Sequence, residues 1–148
     1  MNETVQLLQD IVRNARTGES AIDQLLTIAD NSHIRRDLMT AKSRYHTSLK
    51  NAEQALTRAG GRAEPLGPVS KAGMRMGIFF NTITDKSDSH IAELVIQGAD
   101  MGIIEMTKTI NTYPGADPEA INEARTFINF QQDIINRHKH YLVDKVKS

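Results

Sequence analysis

The sequence predicts an all-α fold, a four-helix bundle with one long crossover connection. Three observations predict it. Apolar residues recur at alternating three- and four-residue spacing through four long stretches, about 3–29, 33–59, 88–112 and 118–145. All four prolines, Pro65, Pro68, Pro114 and Pro118, fall in the connections or at a helix start. The links between the first and second and between the third and fourth stretches are short, whereas the link between the second and third is long.

The first helix carries Val5, Leu8, Val12, Ala15, Ile22, Leu26 and Ala29 as a buried seam. One slot of that seam, between Ala15 and Ile22, is Glu19. A carboxylate in a bundle core must be paired, protonated or metal-bound, because burying it bare costs several kcal/mol. Asp30, Asn31 and Ser32 make a tight connection, with Ser32 expected as N-cap, so the first two helices are antiparallel neighbours. The second helix presents Leu38, Ala41, Tyr45, Leu49, Ala52, Leu56 and Ala59, and Gly60-Gly61 stops it.

Residues 63–68 hold two prolines and a glycine and read as an extended loop. A shorter crossover helix is expected at about 69–83, with Met76, Phe79 and Phe80 at helical spacing. Its bland reading is an element lying on the bundle; its functional reading is an amphipathic interaction segment for a membrane or partner, helped by Lys71 and Arg75. The third helix has the seam Ala92, Ile96, Ala99, Ile103, Met106 and Ile110, with Gly98 and Gly102 beside it to admit a close neighbour. Asp117 as N-cap and Pro118 at the first position open the fourth helix. Gln131 and His138 fall in the middle of its apolar face, two turns apart.

Two short links and one long one define the single-crossover, ferritin-like arrangement, in which the first and fourth helices run parallel. Aligning Gly18 with Gly98 superposes the two halves weakly: Ile11 falls on Ile91, Ala15 on Val95, Leu26 on Met106, and Glu19 on Ala99. The Leu7-Leu8 run leading to Gly18-Glu19, the Gly60-Gly61 stop, the aromatic crossover and the late Arg137-His138 together resemble a family of uncharacterised bacterial four-helix bundles. That family belongs to the ferritin-like superfamily and carries only a domain-of-unknown-function label. The resemblance implies the fold and supplies no activity.

Ferritin-like metal centres use a Glu from each of two helices and a Glu-x-x-His pair from each of the other two. Glu19 fits the first of these. His46 and His138 each keep the imidazole of a pair, but Ser43 and Ile135 stand where the glutamates belong, and the repeat position in the third helix is Ala99. Three of four carboxylates are therefore absent from the expected positions. At ~1.5 Å per residue, Glu19 lies roughly 24 Å along the first helix and Gln131 roughly 20 Å along the fourth. The expected contacts are thus a buried polar layer of Glu19, Tyr45 and Gln131, with His46 beside it. The competing expectation is a residual metal site of Glu19 with His46 or His138.

Composition narrows the function classes. Basic and acidic residues number 18 each, so the net charge is zero, which argues against nucleic acid as partner. There is no cysteine, which removes thiolate ligands and nucleophiles. No apolar stretch approaches the ~20 residues of a membrane span, and the beginning of the chain carries no basic leader, so a cytoplasmic location is expected. No nucleophile elbow or phosphate-binding loop occurs. The reading is a non-catalytic ferritin-like bundle, a structural, stress-related or interaction module with a degenerate metal site and no expected cofactor. The alternatives are residual iron or manganese binding, and docking to a membrane or partner through 69–83. A homodimer or protein partner is expected from the glycine-rich crossover and third-helix surfaces.

Overall fold

A computed structural model describes residues 2–62 and 83–144. Among them are four long α-helices and no strand: α1 (Glu3–Leu26), α2 (Ser32–Arg58), α3 (Asp88–Thr112) and α4 (Pro118–His138). The expected crossover helix, with Met76, Phe79 and Phe80, lies outside the described residues.

Local chemistry sets the helix ends. The Asn2 side chain accepts from the amides of Thr4 and Val5 at 2.9 and 3.3 Å, satisfying two of the donors a helix start leaves orphaned. Asn31, not the expected Ser32, caps α2 by accepting from the His33 amide at 2.8 Å. The end of α1 comes at Leu26, three residues short of the sequence estimate. There Arg35 in the first turn of α2 donates to the carbonyls of Leu26 and Ala29 at 2.6 and 2.8 Å, so a cation from just across the link closes the helix. Gly60, at φ +82, closes α2, with Gly60 and Gly61 amides bonding back to Thr57 and Leu56. Asp117 holds the N-cap position of α4 without a side-chain cap bond; its amide instead donates to Thr4 Oγ1 on α1 at 2.9 Å.

The fourth helix was expected to reach residue 145, and it ends at His138, followed by a 3₁₀ turn at Lys139–Tyr141. Tertiary bonds overrule helix propensity there. Tyr141 donates to Asp37 of α2 at 2.6 Å, and the Val143 amide donates to Ser89 of α3 at 3.0 Å.

The pairings place the helices in a ring. Asp10 meets Thr109, so α1 and α3 are antiparallel; Tyr45 meets Gln131 and Asp37 meets Tyr141, so α2 and α4 are antiparallel. Helices α1 and α4 consequently run parallel, and the topology is the single-crossover ferritin-like one. Among the described residues the hydrophobic core is aliphatic except for one aromatic cluster. Tyr45, Phe127 and Phe130 pack edge to face with centroids 5.0 to 5.9 Å apart, the geometry the ring quadrupoles favour.

In α1 the buried residues are Thr4, Leu7, Leu8, Ile11, Val12, Ala15, Ile22 and Leu25. The face pointing inward is thus turned by about 40° from the expected seam, at ~100° per residue. The same happens in α3, where Ile91, Val95, Gly102 and Thr109 are buried and Ile96, Ile103 and Ile110 are only partly so. These turns decide the fate of Glu19.

Candidate functional site

The layer expected around Glu19 divides into an inner and an outer pair. Inside, the Tyr45 hydroxyl donates to Gln131 Oε1 at 3.0 Å, and Gln131 Nε2 donates to the Phe127 carbonyl at a long 3.4 Å. Gln131 is 1 % exposed. Burial raises the Tyr45 hydroxyl pKa far above its ordinary value, so the phenol stays protonated and a donor. Outside, the turned face of α1 carries Glu19 to the edge of the α1–α2 contact. There Glu19 Oε2 lies 2.8 Å from His46 Nδ1, with the Glu19 and His46 side chains 19 % and 53 % exposed. Glu19 is therefore not the buried seam carboxylate; Gly18 and Glu19 straddle the slot between Ala15 and Ile22. The pair belongs to a row that also joins Arg16 to Glu53 and Lys42 to Asp23 across the two helices.

His138 does not join either pair. It is 1 % exposed, and its Nδ1 lies 2.8 Å from the Ile134 carbonyl; a carbonyl only accepts, so Nδ1 carries the proton. Burial lowers its pKa, opposed by the bond to Ile134 and by the Asp37 charge, with smaller lowering from His140 and Arg137. Its Nε2 has no hydrogen-bond partner among the described residues. Among the described residues no group of three or more His, Asp or Glu side chains is disposed to hold a metal ion. Among the described residues the donors at the Glu19 level are one carboxylate and one imidazole on the rim, with a phenol and an amide inside. That set does not fit a two-metal carboxylate centre, which needs anionic oxygens to balance two cations.

The feature that sequence reasoning missed is a cavity. A space of about 370 Å³ opens between α1 and α3, floored by Tyr45 and Gln131. Asp10, Arg13, Asn14 and Thr17 of α1 line one side of it, with Glu105 and Thr109 of α3 across from them. Asp10 is held by Arg13 at 2.5 Å and by the Thr109 hydroxyl at 3.0 Å. Toward its other end the lining is apolar: Ala21, Ile22, Leu94, Val95 and Ala99. The glycines were the available signal. Gly18 and Gly102 admit the Tyr45 ring and the Gln131 amide, where a Cβ would sit 2.3 and 2.0 Å from them. Gly98, expected to admit a close neighbour, has no atom of the described residues within 4 Å of a Cβ placed there.

Two solved structures share this fold. The chain superposes on a DUF305 fragment from Deinococcus radiodurans with a TM-score of 0.71 at 15% identity, covering 95% of each chain. It superposes on a dodecameric thioferritin, the bacterioferritin-related protein from Bacteroides fragilis, with a TM-score of 0.70 at 11% identity. That match covers 97% of this chain and 88% of the other. The fold is therefore that of ferritin-like helical bundles, and at these identities the likeness speaks to fold alone. No family model matches the chain, and no curated protein sequence does. No helix among the described residues is long and apolar enough to cross a membrane.

Proposed function

We propose that this protein is a non-catalytic ferritin-like bundle, a structural or interaction module in which a neutral hydrogen-bonded pair stands in place of a metal-ligand layer. The observation that carries this reading is the Tyr45–Gln131 bond, buried at mid-bundle where ligands would converge. A phenol held protonated and an amide bring no negative charge, so the layer contributes packing and specificity rather than cation binding. The diversion of Glu19 out of the seam to His46 at the edge of the α1–α2 contact supports the same reading.

The second reading, residual iron or manganese binding, keeps one supporting observation. Glu19 and His46 are a carboxylate and an imidazole already in contact, and two donors of that kind make a weak site for a divalent ion. Metal analysis of untagged protein, loaded with iron(II) or manganese(II) and then desalted, separates the two. The bundle reading expects less than about a tenth of an equivalent retained, since two surface donors leave most of the coordination sphere to water. Near-stoichiometric metal, lost in Glu19→Gln, would establish the second reading. Self-association extends the proposal, since the Bacteroides fragilis bundle is dodecameric. Light scattering that returns a monomer mass would remove that extension.

A further inference from the structure

Residues 139–144 lie at the end of the bundle where α2 and α3 begin and α4 stops. Side-chain hydrogen bonds tie them to both neighbours. Tyr141 donates to Asp37 of α2 at 2.6 Å. Ser89 of α3 grips Val143 through both backbone groups, accepting from its amide at 3.0 Å and donating to its carbonyl at 3.2 Å. Those two bonds are exposed, and Leu142 and Val143 are 43 % and 69 % exposed. Segments tied by exposed bonds with little apolar burial open without global unfolding.

His138 stands at the joint, as the last residue of α4. It is buried, and its ring centroid lies 6.0 Å from that of Tyr141. Its Nδ1 already donates to the Ile134 carbonyl, so a second proton must go to Nε2. Among the described residues Nε2 has no partner to receive that new donor. Asp37 faces the imidazole from α2, Arg137 from α4 and His140 from the turn, while Asp88 of α3 acts on Tyr141. Asp37 is engaged by Tyr141 and lies 4.0 Å from Arg137 Nε. A cationic His138 therefore gains its hydration when the turn lifts away.

We propose that residues 139–144 form an acid-released latch: protonation of His138 frees them from α2 and α3 while the four helices stay folded. In the closed form burial holds the imidazole below its ordinary pKa of about 6.5, opposed by the Ile134 bond and the Asp37 charge. In the open form the ring is solvated and ordinary. The open form thus binds the proton better, and its share rises as pH falls below about 6.5, by up to about tenfold per pH unit. Tyr141, its hydroxyl pushed up to about 12, remains a donor throughout, so the phenol does not set the response.

The test is native-state hydrogen exchange of the full chain by two-dimensional NMR between about pH 7.5 and about pH 5, corrected for intrinsic rates. The opening constant of the Val143 amide should rise about tenfold or more on acidification, while the amides of Ile11 and Ala41 in the core keep theirs. His138→Gln should make the Val143 value flat with pH, and His140→Gln should leave its rise intact. Tyr141→Phe, which removes one tie and no imidazole, should raise opening about tenfold or more at every pH and keep the rise. In wild type the His138 ring resonances should titrate below about pH 6.5. Titration at or above that value overturns the proposal without recourse to any variant. So does a Val143 opening constant that is flat with pH in wild type, rises still in His138→Gln, or is flattened in His140→Gln. Core amides that open in step with Val143 would overturn it too, since the acid response would then be unfolding of the bundle.

Discussion

Gly98 and Gly102 lie one helical turn apart on the same helix and should respond oppositely to the same substitution. Replacing either by Ala removes the propensity penalty of an interior glycine, about 1 kcal/mol. At position 98 no atom of the described residues lies within 4 Å of the new Cβ, so none of them opposes that gain. At position 102 the Cβ would fall 2.0 Å from Gln131 Oε1 and 2.8 Å from its carboxamide carbon. The amide must leave, which breaks the 3.0 Å bond from Tyr45 and strands a buried hydroxyl. Each stranded buried group costs about 1–3 kcal/mol. The expected outcome is that Gly98→Ala stabilises by about 1 kcal/mol. Gly102→Ala is expected to destabilise by about 1–2 kcal/mol net. Urea denaturation followed by far-ultraviolet circular dichroism reads both, and a thermal scan should show Gly98→Ala raised by about 2–4 °C. A double-mutant cycle adds a check: in a Tyr45→Phe background the bond is already gone, so Gly102→Ala should cost about 1 kcal/mol less. Equal effects at the two glycines, or an additive cycle, would refute the placement of Gln131 against Gly102.

Other perturbations test the remaining assignments. Glu19→Gln should change stability by less than about 1 kcal/mol, because its partner His46 is largely solvated; a loss of about 3–5 kcal/mol would mean the carboxylate is a buried, paired charge after all. His138 is a buried neutral base whose pKa is lowered on folding, so below its unfolded value of about 6.5 the unfolded chain binds the extra proton. Its contribution is complete above about pH 6.5 and declines as pH falls below that, so melting temperature should drop more steeply with acid in wild type than in His138→Gln. Identical slopes would show that the buried imidazole does not set the acid response. Thr4→Val removes the acceptor of the Asp117 amide at the start of α4 and should cost about 1–2 kcal/mol; no loss in denaturation would show the α1–α4 tie to be replaceable by water.

The four described long helices, their order and the single-crossover topology were legible in the amino-acid pattern. Those follow from local rules: apolar spacing at the helical period, glycine at the end of α2, proline at the start of α4, and link lengths that permit few connections. It also identified Gln131 and His138 as polar residues on a buried face, because α4 keeps the orientation its pattern implies. The tertiary structure decided what a period of 3.6 leaves open, namely which way each helix turns about its own axis. A turn of about 40° in α1 takes Glu19 from the seam to the half-buried edge of the α1–α2 contact, and it accompanies the packing of Tyr45 against Gly18. Helix ends at Leu26 and His138 were likewise settled by side chains of α2, Arg35 just across the link and Asp37 through its bond from Tyr141. The cavity was invisible in the pattern for the same reason. A glycine that admits a neighbour and a glycine that leaves a space are the same letter, and only the packing of α1 against α3 separates Gly102 from Gly98.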